Sequence, residues 1–273
     1  MLQIEQKRTV DLPYISVRDI FCDGLAPEFA RSPIHRNRVY TVTHFAKLAL
    51  AGSPAGSVLE VGCGVGHVTH PLARAGMKVT GIDIDPPSIA AARARYSTPG
   101  ISFDCIDIKD APVATYDVIV LTEVLEHVKA YRAFIHLISD RMKPGSALIL
   151  TVPNGYCWSE CLCRPSYWLK TTPLGKPIVK TIKKLLRTRD VTTANEQTPH
   201  VNFFTMPQLE ELFTDCGLAL ESSHASFIWW SVTETFFSEH TLNEEKAARD
   251  FDRSQASKFN KCTLWSFLLR KKT

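Results

Sequence analysis

Long apolar runs are missing from this chain. Nowhere in its 273 residues do about 18 apolar residues follow one another, so no membrane-spanning helix is expected. Residues 1–10 carry charges and no apolar core, so no secretory leader is expected either. Cysteine is present, eight residues in all, but paired C-x2-C units are absent, which removes the usual structural zinc sites. Cys157, Cys161 and Cys163 follow C-x3-C-x-C spacing and read as thiols in an irregular segment. Several other cysteines lie inside apolar runs, where a reduced thiol behaves as a small hydrophobe, so a cytoplasmic setting is expected. Repeats and low-complexity tracts are absent. The excess of positive charge is only +4, too small for a chain that tracks phosphates, so nucleic acid is not the expected partner.

What is there suits a globular enzyme-sized domain, with 45% hydrophobic and 22% charged residues. Val58-Leu59-Glu60-Val61-Gly62-Cys63-Gly64-Val65-Gly66 reads as a buried strand turning sharply into three alternating glycines. Before it, residues 38–50 repeat apolar positions at helical spacing and stop at Gly52-Ser53-Pro54. After it, helices are expected at 67–75, 87–96 and 130–142, and strands at 78–83, 101–106, 116–121 and 147–152. Such alternation predicts an α/β fold, a doubly wound and mostly parallel sheet with ligands at the carboxyl ends of its strands. Regular signals lapse from Asn154 to Asn195 and return at 201–204, a helix at 207–216 and two strands at 218–229 and 262–269, expected as an antiparallel pair at the sheet edge.

The spacing Gly62-x-Gly64-x-Gly66 does not fit a nicotinamide-dinucleotide fingerprint, because His67 stands where the third glycine would fall. A phosphate-binding loop is excluded too, since no Gly-Lys-Ser/Thr follows. Together, Glu60-Val-Gly-Cys-Gly-Val-Gly66, Gly81-Ile-Asp83, Asp107, Leu121-Thr-Glu-Val-Leu-Glu-His127 and Lys143-Pro-Gly145 resemble the class I S-adenosylmethionine-dependent methyltransferases. The resemblance implies a Rossmann-like, seven-stranded sheet whose last strand is antiparallel, with S-adenosylmethionine lying across the tips of the first, second and fourth strands. It further implies that Gly62 and Gly64 approach the methionine and ribose parts and that Asp83 accepts from the ribose hydroxyls. Asp107 would meet the adenine amino group, Ile84 would pack on the ring, and Thr122 would complete the set. Glu60 would orient the loop or face the cofactor's ammonium through water. Asp83 and Asp107 can alternatively be helix caps.

Glu123, Glu126 and His127 are spaced i, i+3 and i+4, so on a helix they would share one face beside the reacting methyl. His127, with an ordinary pKa near 6.5, is the expected base for a hydroxyl acceptor, with Glu123 and Glu126 beside it. With His200 downstream, Glu-x-x-Glu-His also resembles the site of small-RNA 3′-end 2′-O-methyltransferases and the acidic turn of ubiquinone-pathway O-methyltransferases. That resemblance implies Mg, Mn or Zn on Glu123, Glu126, His127 and His200. The plainer alternative makes the carboxylates loop-orienting groups and His127 a helix-start residue.

Residues 177–187 form a cationic amphipathic stretch, expected as a lid helix or as a peripheral contact with an anionic membrane. With Tyr156, Trp158, Tyr167 and Trp168 nearby, this insertion is the expected specificity segment. The resulting organisation is a lead-in at 1–37, a cofactor-binding core at 38–153, a lid insertion at 154–200 and sheet-completing strands at 201–273. The function expected is transfer of a methyl group to an oxygen of a small-molecule, glycan or lipid-linked acceptor. One rival is a metal-dependent RNA 3′-terminal 2′-O-methyltransferase, which would bind single-stranded RNA ends in a salt-dependent way. Another is a silent cofactor-binding or interaction protein on the same fold.

Overall fold

Strands that are apolar at both odd and even positions need cover on both faces, and the fold supplies it. The computed structural model describes residues 33–51, 56–113, 116–156, 200–226 and 262–272, together with Pro177 and Thr181. Among these, helix α1 (Pro33–Ala49) leads into strand β1 (Ser57–Val61), followed by α2 (Thr69–Arg74), β2 (Lys78–Asp83), α3 (Pro86–Arg95) and β3 (Ile101–Cys105). Then come β4 (Val118–Thr122), α4 (Tyr131–Arg141), β5 (Ala147–Pro153), α5 (Met206–Asp215), β6 (Leu218–Ser226) and β7 (Leu264–Lys271). Seven strands form one sheet in the order β3-β2-β1-β4-β5-β7-β6. The first five pair in parallel, while β7 runs antiparallel to both β5 and β6. This is the expected Rossmann-like arrangement, and the expected antiparallel pair closes its edge.

Alternate residues of the central strands feed two cores. Leu59, Ile119, Leu121, Leu148 and Leu150 pack with Ile135 and Ile138 of α4 and Leu209, Leu212 and Phe213 of α5. Val58, Val79, Val118, Val120 and Ile149 pack with Val39, Val42, Phe45 and Ala46 of α1 and Leu72 of α2. All five side chains of β4 and all seven of β5 are buried, so the middle of the sheet is a rigid platform.

Helix α1 starts a turn earlier than the periodicity suggested, with Pro33 at its first position, where proline's missing N–H costs nothing. The added turn contains Asn37, whose Oδ1 accepts from Ser226 Oγ at 2.6 Å and Thr41 Oγ1 at 3.3 Å. The first of these bonds fastens the helix to β6, and the second stays within the helix. Residues 201–204 are not a strand; their backbone instead serves the site described next. The expected strand at 218–229 is seen as far as Ser226, and 227–229 lie outside the described residues.

Candidate functional site at the strand tips

The β1 tip turns through Gly62 and Gly64, both left-handed at φ 73° and 52°, a region closed to most side chains. Gly62 N and Cys63 N donate to Ile82 O at 2.8 and 3.0 Å, so the loop continues the β1–β2 ladder. A Cβ on Gly62 would lie 2.6 Å from Val124 Cγ2, whereas one on Gly64 would meet nothing within 4 Å. The loop is therefore packed from behind at Gly62 and bare in front at Gly64.

Asp83 holds that shape. Its Oδ2 accepts from Gly64 N at 2.8 Å and its Oδ1 from Asp85 N at 3.0 Å. The cap of α3 is Asp85, whose carboxylate accepts from Ser88 N, so Asp83 has no capping duty. A carboxylate offers about four lone-pair sites, which leaves Asp83 able to accept further. Asp107 does cap, accepting from Lys109 N at 3.0 Å at the start of the short 3-10 turn Ile108–Asp110. Ile84 is 74% exposed at the β2 tip.

Beneath the loop, Glu60 is 1% exposed and its Oε2 accepts from the Thr69 hydroxyl. Burial raises its pKa to about 8, against the pull of Thr69 and the charge of Arg38. Arg38 itself had no assigned role from sequence. It is 9% exposed, its Nη2 lies 2.8 Å from His35 Nδ1, and its Nε–H has no acceptor. The signal was present: Arg38, Val42 and Phe45 fall on one face of α1, and a cation on a buried stripe calls for an anion. His67, in the third-glycine position, is buried against Tyr96, with Nδ1 3.3 Å from the phenol oxygen. Burial, then Arg95 and Arg38, lower its pKa to about 4.

The second half of the site follows β4. Thr122 is 8% exposed. Glu123 has φ 53°, unusual for a side chain with a Cβ, and its Oε1 accepts from Thr151 Oγ1 at 2.9 Å. The helical face expected for Glu123, Glu126 and His127 does not form, because Glu123 breaks the helix sense and only Leu125–His127 makes a 3-10 turn. Glu126, His127 and His200 instead come together, their ligand atoms all within 4.8 Å of one another. Glu126 Oε1 is 3.7 Å from His127 Nε2, and the two imidazoles meet edge to face with centroids 5.0 Å apart.

His200 reaches this turn because the residues after it are bonded down. Val201 N and Asn202 N both donate to Glu126 O, at 2.8 and 3.0 Å. The Asn202 amide donates to Leu125 O at 3.0 Å and Val128 O at 2.7 Å. Asn202 is the second residue that sequence reasoning missed; nothing in its neighbours' pattern marks it. Trp158, Tyr167, Trp168, the C-x3-C-x-C thiols and most of 177–187 lie outside the described residues, while Tyr156 is 58% exposed beside the β5 tip.

A family model described as "Methyltransferase domain" matches residues 34–223, and the chain belongs to that family. It is a class I S-adenosylmethionine-dependent methyltransferase. Among curated proteins, a ubiquinone biosynthesis O-methyltransferase of Klebsiella pneumoniae is 31% identical over 175 residues, spanning 60% of this chain and 72% of that one. One from Erwinia tasmaniensis is 29% identical over 174 residues, spanning 61% and 70%. Among solved structures, the magnesium protoporphyrin IX methyltransferase ChlM of Synechocystis, with bound S-adenosylhomocysteine, superposes with a TM-score of 0.53 at 18% identity, covering 93% of this chain and 92% of that one. The N-methyltransferase NodS of Bradyrhizobium japonicum, in complex with the same product, has a TM-score of 0.53 at 16% identity, covering 94% and 97%. Both share the fold. No helix among the described residues is long and apolar enough to cross a membrane.

Proposed function

We propose that this methyltransferase acts on an oxygen of a small-molecule, glycan or lipid-linked acceptor, with His127 as the base. The observation that carries the reading is the pairing of a bare glycine cradle with an acid–imidazole cluster on the neighbouring strand tip. The O-methyltransferase relatives at about 30% identity support oxygen as the acceptor atom. The four described cysteines, Cys63, Cys105, Cys216 and Cys262, are free thiols, which supports a cytoplasmic setting.

The residues fit S-adenosylmethionine. Open space stands before Gly64, Asp83 has lone pairs to spare for ribose hydroxyls, and Ile84 offers an exposed apolar face to a ring. Arg38 has a buried N–H without an acceptor, suited to the cofactor's carboxylate, the one anion it carries. Glu60, Gly62, Asp107 and Thr122 complete the holding set. When bound, the cofactor supplies an electrophilic methyl on a sulfonium. The protein's share is to align the acceptor with it and to remove the hydroxyl proton. A ring nitrogen of His127 takes that proton, and Glu126 at 3.7 Å stabilises the imidazolium. Thr151 fixes Glu123 at the edge of the same space.

A second reading has one observation in its favour. Glu126, His127 and His200 offer a carboxylate and two imidazoles within 4.8 Å of one another, a donor set that suits Mn or Zn and would hold acceptor oxygens. Equilibrium dialysis against either ion, and activity after exhaustive chelation, decide it: no bound ion and intact activity remove the metal.

The acceptor reading is tested by supplying labelled cofactor to an acceptor panel that includes hydroxyl, amine and single-stranded RNA substrates. Oxygen methylation lost in His127→Ala, with S-adenosylhomocysteine still bound, supports it. Methylation of nitrogen or of an RNA end refutes it. Flotation with anionic vesicles tests the proposed membrane contact of residues 177–187.

A further inference from the structure

We propose that binding of the methyl donor or its product drives a proton off Glu60, so that affinity for either rises with pH; this rests on the cofactor reading above. Glu60 ends β1 two residues before Gly62 and is 1% exposed. The groups that face it come from every neighbouring element. Thr69 at the start of α2 donates its hydroxyl to Oε2. Arg38 reaches in from α1, braced by His35, and favours the carboxylate. Asp83 at the β2 tip and Cys63 in the loop also interact with it; the Asp83 charge favours the neutral acid. The Cys63 thiol is pushed up by burial and stays neutral. His35 and His67, beside Arg38, are also neutral, because burial lowers both.

Burial is the largest influence on Glu60, and it leaves the pKa at about 8. Near pH 7 the protonated acid therefore predominates in the free protein. S-adenosylmethionine and S-adenosylhomocysteine both bear an α-ammonium and an α-carboxylate; with the carboxylate taken up by Arg38, the linkage requires the ammonium to lie nearer Glu60 than that carboxylate does, so that the ionised form of Glu60 is the one favoured. The Glu60 O–H bond then breaks, the carboxylate keeps the electron pair and the proton passes to the buffer. Linkage makes the affinity climb by as much as about tenfold per pH unit below the free-protein pKa and level off above it. Arg38 makes the ionised state tolerable in a buried place, since a buried anion needs a partner.

The test is calorimetric titration of S-adenosylhomocysteine into the full chain near pH 7, in two buffers of different ionisation enthalpy, repeated across pH 6 to 8. Wild type is expected to release close to one proton per ligand bound and to bind about tenfold more tightly for each unit of pH gained. Glu60→Gln keeps an acceptor for Thr69 and is expected to bind with no such release and a flat pH profile. Thr69→Val keeps the carboxyl but removes a donor that favours its ionised form, so its profile levels off at higher pH; this variant decides the matter if Glu60→Gln does not fold. Wild-type binding without proton release, or equal release from Glu60→Gln, overturns the linkage and leaves the cofactor reading standing. Failure of wild type to bind S-adenosylhomocysteine at any pH overturns both.

Discussion

Gly62 and Gly64, separated by one residue, make opposite predictions, and together they test where the cofactor is proposed to lie. Gly62 and Gly64 both have positive φ, so Ala at either pays roughly 1–2 kcal/mol for the left-handed conformation. Gly62→Ala pays more, because its Cβ would lie 2.6 Å from Val124 Cγ2, and forcing a methyl into packed surroundings costs about 1–3 kcal/mol. Summed, Gly62→Ala loses roughly 2–5 kcal/mol and Gly64→Ala roughly 1–2. At roughly 2–4 °C per kcal/mol for a domain of this size, Gly62→Ala lowers Tm by about 4–20 °C and Gly64→Ala by about 2–8 °C. Binding reverses the order. A methyl on Gly64 would project into the bare space where the cofactor backbone contact belongs, so affinity for S-adenosylhomocysteine falls at least about tenfold, equivalent to 1.4 kcal/mol. Thermal melts and calorimetry on the same two variants read both quantities. Wild-type affinity in a folded Gly64→Ala protein would refute the cradle, since the open face would then touch nothing that matters.

Three further outcomes are expected. Asp83→Ala removes the acceptor for Gly64 N and the proposed acceptor for the ribose hydroxyls; charged hydrogen bonds are worth about 1.5–3 kcal/mol each, so calorimetry should read an affinity loss of about tenfold or more, and unchanged affinity would remove the ribose assignment. Asn202→Ala deletes the two amide donations that hold residues 200–204 on the 3-10 turn, costing about 1–3 kcal/mol in a chemical melt and displacing His200 from His127, which histidine NMR titration would detect. Stability should also fall in acid: the folded pKa of His224 and of His67 is lowered to about 4, so the unfolded chain binds the extra proton as pH drops from about 6.5 towards 4, at about 1.4 kcal/mol per unit for each histidine. Glu60 acts in the opposite sense over part of that window, because its raised pKa makes the folded state the proton binder. Denaturation midpoints at several pH values should therefore flatten in His224→Gln and steepen in Glu60→Gln.

The parts of the molecule that were legible in sequence share a cause. The residues 58–61, 118–122 and 147–153 are buried on both faces and, Glu60 apart, largely apolar, and a chain that buries such strands has few alternatives to a helix-covered parallel sheet. Gly62, Gly64 and Asp83 were readable because a tight turn at a strand tip restricts residue type. Arg38 and Asn202 were missed, for different reasons. Arg38 carried a signal, since it shares the apolar face of Val42 and Phe45, but that face names no anion until α1 is seen to press it towards the buried Glu60. Asn202 bonds to main-chain carbonyls of Leu125 and Val128, and any segment ending a β4 turn presents carbonyls of that kind. The failed expectation at Glu123 is of a third kind: helical spacing was read correctly, but β4 ends one residue before Glu123, and the left-handed turn there sends its carboxylate to Thr151 on β5.

That left-handed turn also explains how two halves of a site encoded some 60 residues apart become one. Glu123 reverses the chain so that Val124 lies over the β1 loop, and Val124 can do so because residue 62 has no Cβ. The contact is thus written twice, once as a glycine and once as a positive φ. It draws the start of the Leu125–His127 turn against the loop that would hold the cofactor. His127 follows Val124 by three residues, within one short turn, so any shift of the loop is transmitted to the proposed base. A side chain at position 62 would push these groups apart as well as destabilise the fold. Gly62→Ala should therefore impair transfer beyond its effect on binding, whereas Gly64→Ala should act through binding alone.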